Sequence, residues 1–296
     1  MMETGTRRNV VVQKFPEHER TILELIDSNT EPACTPSRAA VLTGRYAKRS
    51  GMHTVSFPIE RSGMDADEVT LAEVLGQAGY ATAFYGKWHL GDTEPSYAHN
   101  QGFDEAFFTP YNQVPSMWVR EAESVNVITE MFPEMYGKDA YDIDNSWQPR
   151  GSVWTLRGTK GGKTYEWGPP PKVTNFWDIE KEAQKLTLGF VEKNAKAKKP
   201  FYIAYWPILL SFMPDPREPK KLTANKNPLA EAMVRTDKFL GRLMKQLKDL
   251  GIAENTLVVI MADNGPFTHH GPRGMVETLY KLHWQPLWTI STSMRT

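Results

Sequence analysis

Several features that mark particular protein classes are scarce or missing in this 296-residue chain. It has a single cysteine, Cys34, which excludes an internal disulfide framework and any metal site built from several thiolates. Its 35 Lys and Arg residues equal its 35 Asp and Glu residues, so no basic excess favours nucleic acid or anionic lipid. The longest apolar run, 202–210, is far shorter than the ~20 residues of a membrane-spanning helix. We therefore expect no nucleic-acid partner and no membrane span.

The N-terminal segment also lacks a recognisable export signal. Basic residues occur in 1–8, but only the short apolar run 10–12 follows, whereas a signal peptide has roughly 7 to 15 apolar residues. The sequence alone therefore leaves the cellular compartment open. The apolar fraction of 40% is enough for a folded core, so we do not expect a disordered chain.

What the chain does contain is a repeated alternation of helical and strand patterns, which is typical of a parallel α/β sheet. Thr70 and Glu73 have the spacing of a helix-capping box, and Gly251 suits the end of a long amphipathic helix. The predicted helix and strand pairs are 70–79 with 80–85, 179–199 with 201–206, and 229–250 with 256–261. We predict an α/β fold, with a mostly parallel sheet and helices on both faces.

Helical periodicity fades between 110 and 177, and we predict a loop-rich insertion there within one domain spanning 1–296. The insertion carries five of the nine tryptophans, which are Trp118, Trp147, Trp154, Trp167 and Trp177. These side chains can pack a subdomain, or they can line the mouth of a substrate site, where aromatic residues are common. The sequence leaves both interpretations open.

Two segments place reactive or polar side chains where a ligand site is expected. Cys34 precedes a short predicted helix whose N-terminus carries partial positive charge, and Arg38 follows about one turn later. The strand 256–261 is followed by Asp263-Asn264-Gly265 at the carboxyl edge of the sheet, where open α/β proteins bind ligands. A cysteine on its own is more often an inert buried side chain, so its neighbours decide between the two interpretations.

Those neighbours resemble a known family. Residues 34–45, CTPSRAAVLTGR, closely resemble the first signature of the type I sulfatases, which contains Cys-x-Pro-x-Arg. Residues 79–91, GYATAFYGKWHLG, resemble the second sulfatase signature over its full length, and the turn 263–265 is similar to the family's metal-binding turn. This resemblance implies an alkaline-phosphatase-like α/β sandwich. It also implies hydrolysis of a sulfate monoester, either an aryl or a carbohydrate sulfate.

The resemblance further implies roles for individual residues. A formylglycine-generating enzyme would convert Cys34 to an aldehyde, whose hydrated form carries the nucleophilic hydroxyl. Arg38 would hold the hydrated aldehyde, and Lys87 would contact the sulfate oxygens. His89 would take the proton that releases sulfate.

A metal site is implied as well. Calcium or another divalent cation would bind the side-chain oxygens of Asp263 and Asn264, together with the diol oxygen formed from Cys34. Calcium takes roughly six to eight oxygens, so this set is incomplete. The family's paired aspartates after its first strand have no counterpart, because the apolar run 10–12 continues into Gln13 and Lys14. Asp27 is the available weak replacement.

Further family features have no counterpart in the sequence. After the strand 201–206, where the family places a sulfate-contacting histidine, the chain reads Pro207-Ile208-Leu209-Leu210-Ser211-Phe212 and has no histidine. Lys281 is not assigned as the family's second lysine. The family's smaller C-terminal domain is not matched either. We expect a chain truncated or diverged at both ends, with an exposed sheet edge that favours association. Family members often act in the periplasm, outside the cell or in lysosomes.

Two rival functions follow from these observations. A phosphatase with the same fold usually carries Ser or Thr as its nucleophile, so the cysteine at position 34 disfavours a phosphatase. A catalytically impaired protein that only binds a sulfate ester, or acts as an interaction protein, is motivated by the missing aspartates, histidine and lysine. His269 and His270 follow the metal turn, and we expect loop packing or substrate contact for them rather than catalysis.

Overall fold

A hairpin near the N-terminus stands apart from the main sheet. The computed structural model describes residues 10–15, 20–25, 30–56, 62–110, 155–167, 176–208, 228–264 and 286–292. Strands β1 (Val10–Phe15) and β2 (Arg20–Leu25) pair antiparallel as a sheet of their own. The strand that the sequence indicates near residue 10 therefore forms, but it does not join the main sheet.

The main sheet has seven strands. They are β3 (Ala81–Lys87), β4 (Glu105–Thr109), β5 (Thr155–Thr159), β6 (Tyr165–Trp167), β7 (Phe201–Trp206), β8 (Thr256–Ala262) and β9 (Pro286–Thr292). Their spatial order is β6-β5-β4-β3-β7-β9-β8. Strand β3 is parallel to β4 and β7, whereas β5 and β9 run antiparallel to their neighbours. The other five strands share one direction, which confirms a mostly parallel sheet.

The α-helices of the described part are α1 (Cys34–Thr43), α2 (Leu71–Gln77), α3 (Phe176–Lys196) and α4 (Pro228–Asp249). Helix α2 begins with the predicted capping box. The Glu73 amide donates to Thr70 Oγ1 at 3.2 Å, and the Thr70 amide donates to Glu73 Oε2 at 2.8 Å. Helix α1 starts at Cys34 itself, one residue earlier than the sequence pattern indicates.

Two apolar clusters lie on opposite faces of the sheet. Because side chains alternate along a strand, Phe84 of β3 packs on the face of α1 and α2, together with Trp88 and Trp206. Its neighbour Tyr85 packs on the opposite face, which α3 and α4 cover. Burying a large side chain of this kind contributes roughly 1.5–3 kcal/mol. Helices on both faces are therefore confirmed.

Part of the predicted insertion adds to the sheet. Strands β5 and β6 extend it beyond β4 by antiparallel pairing. Trp167 in β6 packs edge-on against Phe107, with ring centroids 5.1 Å apart. Trp118, Trp147, Trp154 and the side chain of Trp177 lie outside the described residues. Among the described helices, none is both long and apolar enough to cross a bilayer.

Candidate active site

The first turn of α1 meets the carboxyl ends of β3 and β8. Cys34 begins α1 and is almost fully buried, and its thiol donates to Asn264 Oδ1 at 3.0 Å. Its sulfur also takes part in a hydrogen bond with the side chain of Lys87, the last residue of β3. Residues far apart in the sequence thus converge on the Cys34 sulfur, at the sheet edge where α/β folds place ligand sites.

Arg38 binds the metal-turn carboxylate. Its Nε and Nη2 atoms donate to Asp263 Oδ2 at 3.0 and 2.8 Å, and its Nη1 donates to the carbonyl of Lys87. Its guanidinium carbon lies 4.7 Å from the ring centre of Trp206, a cation–π contact. A carboxylate, a carbonyl and an indole thus fix the guanidinium. Arg38 and Asp263 are both fully buried, so water does not compete for these contacts.

The pKa of Lys87 is set mainly by the burial of its side chain. Its Nζ lies 4.0 Å from Asp263 Oδ2, and its side chain is 1% exposed. Burial lowers the pKa of Lys87, and the Arg38 guanidinium lowers it too, while interactions with Cys34 and Asp263 partly oppose the shift. An ammonium group at this position is thus held by groups of the site rather than by water, so it can face an anion with little solvent screening.

His89 takes a left-handed backbone conformation, with φ of 60°. Its Nε2 lies 2.9 Å from the Ser56 carbonyl, so Nε2 carries a proton and donates it, because a carbonyl can only accept. Burial lowers the pKa of His89 well below its usual value, and the cations of Lys87 and Arg38 lower it further. The imidazole is therefore neutral at pH 7 with Nδ1 as its basic nitrogen, which is the form that a general base requires.

Thr35 is a site residue that the sequence analysis did not single out. Its hydroxyl donates to the carbonyl of His89 at 3.0 Å and accepts from the Ser56 amide at 3.1 Å. This buried hydroxyl ties the first turn of α1 to the segments that carry His89 and Ser56. Its position directly after Cys34 in the signature was the available signal.

Trp206 was also missed. It is the last residue of β7, at the same sheet edge as Lys87, and that strand-end position was its signal in the sequence. The next segment places Ile208 in the core, with its amide donating to Glu180 Oε2 at 2.8 Å. In the described part of the segment where a sulfate-contacting histidine was sought, Pro207 and Ile208, the side chain of Ile208 is therefore apolar and buried.

The described residues fit one side of a divalent-cation site. Asp263 Oδ1 is buried and has no hydrogen-bond partner within the described part of the chain, and Asn264 supplies a neighbouring oxygen. In the same ranges no three His, Cys, Asp or Glu residues form a metal-binding group. Arg38 and Lys87 place two cations beside the single carboxylate of Asp263, so a cation would need further carboxylates.

Several sequence-predicted residues cannot be placed. Gly265, His269, His270, Lys281 and Asp27 lie outside the described ranges. The structure brings together Cys34, Arg38, Lys87, Asp263 and Asn264, and links His89 to them through Thr35.

Comparisons with known proteins identify the family. The Sulfatase family model matches residues 26–285. Human arylsulfatase A is 31% identical over 247 residues, covering 81% of this chain and 44% of that protein. N-acetylgalactosamine-6-sulfatase of Canis lupus familiaris is 27% identical over 246 residues, covering 80% of this chain and 42% of that protein. The chain thus spans less than half the length of both curated relatives.

A solved structure shows the same fold. The PsFucS1 sulfatase from Pseudoalteromonas sp. superposes with a TM-score of 0.65 at 24% identity, covering 89% of this chain and 52% of that chain. The long match to the family model and the identity to arylsulfatase A together establish the family. This chain belongs to the sulfatase family and has its alkaline-phosphatase-like α/β fold.

Proposed function

We propose that this chain hydrolyses a sulfate monoester, after a formylglycine-generating enzyme has converted Cys34 to formylglycine. The observation that carries the proposal is the position of residue 34 at the start of α1, within hydrogen-bond reach of Lys87 and Asn264. A nucleophile on residue 34 would meet the partial positive charge of a helix N-terminus and a buried ammonium. Both stabilise the negative charge of a sulfate group.

The remaining residues have distinct tasks. When present, the hydrated aldehyde supplies one hydroxyl as nucleophile and a second hydroxyl whose deprotonation expels sulfate. Lys87 binds the sulfate oxygens, and Arg38 holds the hydrated aldehyde while its own position is fixed by Asp263 and Trp206. His89 accepts the proton at Nδ1, because its Nε2–H is bound to the Ser56 carbonyl.

A divalent cation, with calcium as the expected ion, is part of this proposal. Asp263 Oδ1 and the side-chain oxygen of Asn264 would hold it, and it would add positive charge next to the bound sulfate. Further ligands would come from outside the described residues, from water or from residue 34.

The substrate class we propose is a carbohydrate sulfate or an aryl sulfate. The two curated relatives described above are named for an aryl sulfate and for the 6-sulfate of N-acetylgalactosamine. Both substrate classes present the same sulfate ester to residue 34, so the site itself does not distinguish them.

The test uses this protein co-expressed with a formylglycine-generating enzyme. It measures the calcium-dependent release of sulfate from 4-nitrophenyl sulfate. The peptide mass at residue 34 establishes conversion, and a Cys34→Ala variant is the control. We expect turnover in the converted parent and none in the variant. Absence of turnover despite full conversion would contradict the proposal.

A second candidate function has its own supporting observation. The segment 207–212, where the family's sulfate-contacting histidine is expected, contains no histidine, and Asp263 is already paired with Arg38. A chain of this kind could bind sulfate esters without hydrolysing them. A binding measurement with the same sulfate ester, made beside the turnover assay, decides between the two functions. Binding that survives Cys34→Ala, with no turnover in the fully converted parent, would favour this alternative.

A further inference from the structure

A cleft lies beside α1, outside the set of residues that surrounds Cys34. Its volume is about 530 Å³, which falls within the roughly 300–1,000 Å³ of ligand-binding clefts. We call it the α1 cleft, and it is lined by Glu31, Tyr46, Ala47, Lys48, Arg49 and His53. None of these side chains has a part in the proposed hydrolysis.

The α1 cleft is close to the active site along the chain. Glu31 lies three residues before Cys34, and its carbonyl accepts a hydrogen bond from Ser37 Oγ at 2.9 Å. His53 lies three residues before Ser56, which contacts both Thr35 and His89. Three residues of extended chain reach at most ~11 Å. The Cα atoms of Glu31 and Cys34 are therefore at most ~11 Å apart, and a ligand of a few sugar units is long enough to bridge that distance.

The cleft carries two cationic side chains. Lys48 and Arg49 are exposed, and within the described part of the chain neither side chain forms an ion pair. Glu31 is the one carboxylate in the lining, so the two cations outnumber it and the cleft has a positive balance. Cations that no residue of the described chain neutralises are available to an anionic ligand.

The turn that carries these cations is fixed. Arg45 Nη1 binds both carboxylate oxygens of Glu68, at 2.6 and 2.7 Å, and its Nη2 donates to the carbonyl of Arg49 at 3.3 Å. Ala47 at the centre of the turn is buried. These hydrogen bonds and the burial of Ala47 position the turn before a ligand binds, which lowers the cost of ordering it on binding.

Tyr46 adds an aromatic surface to the cleft. Its side chain is 75% exposed, the largest exposure among the exposed large hydrophobic residues of the described part. Aromatic side chains with a polar hydroxyl are common in ligand sites, because they combine apolar contact area with a hydrogen-bonding group. An aromatic ring, two cations and a carboxylate together suit an anionic sugar, whose ring and hydroxyls need contacts besides its charge.

We propose that the α1 cleft binds a second anionic group of the same oligosaccharide, either the carboxylate of the adjacent sugar or a sulfate one sugar further on, while the first sulfate ester enters the active site. This inference rests on the proposed function, since it assigns that function to a polyanionic oligosaccharide. Lys48 and Arg49 bind the anionic group, and Tyr46 contacts the sugar ring.

The experiment measures binding of a fluorescently labelled chondroitin 6-sulfate tetrasaccharide to the full chain with unconverted Cys34, by fluorescence anisotropy. The test variant is Lys48→Gln/Arg49→Gln. The matched control is Lys193→Gln/Lys199→Gln, which removes the same charge from exposed positions at the end of α3. A carboxyl-reduced form of the same tetrasaccharide separates the two anion sources.

We expect the test variant to bind about 3- to 10-fold more weakly than the parent, as two exposed charge contacts would give, and the control to bind like the parent. The difference should shrink at high salt. Affinity lost with carboxyl reduction identifies a uronate as the anion, and retained affinity identifies a second sulfate. Equal affinities of test variant, control and parent would overturn the inference.

Turnover separates this inference from the proposed function. If the converted parent hydrolyses 4-nitrophenyl sulfate, the Lys48→Gln/Arg49→Gln variant should do so at the parental rate, because that substrate has no second anion. Cleft-dependent binding without turnover would contradict the proposed function and leave the α1 cleft as a binding site. If the converted parent turns over the substrate but Lys48→Gln/Arg49→Gln does not weaken tetrasaccharide binding, only the proposed role of the α1 cleft would be overturned.

Discussion

At the residue scale, the pair of Arg38 and Asp263 dominates the electrostatics of the site. Both side chains are fully buried, and the guanidinium makes two hydrogen bonds to one carboxylate oxygen. Replacing one member of such a pair leaves the other charge buried and uncompensated. The neighbouring ammonium of Lys87, 4.0 Å from the carboxylate, compensates only in part.

We predict that Arg38→Gln lowers the free energy of unfolding by about 3–5 kcal/mol, measured by urea denaturation. The control is Arg45→Gln, which removes a half-exposed arginine paired with Glu68 and should cost about 0–1 kcal/mol. Equal losses of unfolding free energy in the two variants would show that the buried pair contributes no more to stability than the exposed pair.

The buried histidines predict a dependence of stability on pH. Burial lowers the pKa of His99 as well as that of His89, so the unfolded chain binds protons that the folded chain does not. Their contribution to stability is complete above the unfolded pKa of about 6.5 and is lost as pH falls below it. His99 lies outside the active site, with Nε2 at 2.9 Å from Thr164 Oγ1.

We therefore expect the free energy of unfolding to fall between pH 7.5 and pH 5.5, and to fall less in His99→Gln, which cannot titrate at this position. Urea denaturation at several pH values measures how the free energy of unfolding changes with pH in the parent and in the variant. A variant with the same pH slope as the parent would contradict the assignment to His99.

The sequence predicted which residues of the site come together, but not how their charges are arranged. The signatures indicate Cys34, Arg38 and Lys87, and the strand-end rule indicates Asp263. That Arg38 pairs with Asp263 could not be predicted, because the contact joins residues 225 positions apart. The roles of these residues in catalysis stay predictions until turnover is measured.

At the element scale, local signals predicted most boundaries. The capping box of α2 and strand β7 occur where the pattern places them, and β8 extends one residue beyond it. Strand β9 was not predicted, since its pairing with β7 and β8 depends on contacts across the chain rather than on local periodicity. The same reason applies to β5 and β6, whose short strands carry no strong alternation.

Strand β3 has one position that tolerates only glycine. Gly86 has φ of +120°, and a Cβ there would lie 1.8 Å from the Trp206 carbonyl oxygen. Because β3 and β7 are paired backbones, neither can move aside without breaking their ladder. Lys87 and Trp206, two site residues, are the direct neighbours of this contact.

We predict that Gly86→Ala lowers stability by about 3 kcal/mol or more, through overpacking and backbone strain. Gly76→Ala is the matched control, because α2 has open space there, and it should raise stability by roughly 0.5–1 kcal/mol. Thermal and urea denaturation measure both. A Gly86→Ala variant as stable as the parent would show that the strands separate at little cost.

At the scale of the whole molecule, the sheet ends at β8 within the described part. This strand exposes apolar side chains on both of its faces, with Leu257 67% and Ile260 43% exposed. An apolar edge strand favours pairing with another chain, and a formal net charge of zero does little to oppose it.

We expect the protein to associate at neutral pH through this edge, and Ile260→Lys to shift it toward the monomer. Multi-angle light scattering over a range of concentrations measures the mass. Val74→Lys, an exposed position on α2 away from the edge, should leave the mass of the parent assembly unchanged. A parent that is monomeric at every concentration would contradict this prediction.

The place of β9 in the sheet also sets the order in which the protein can be completed during synthesis. Strand β8 joins the sheet through β9, which the ribosome makes later than β8. Cys34, Arg38 and Lys87 leave the ribosome early, whereas the strand that links β8 to the rest of the sheet is complete only after residue 292 has emerged. Asp263 and Asn264 follow directly from β8 and contact Arg38 and Cys34. The two halves of the site are therefore connected through a strand that is synthesised after both of them.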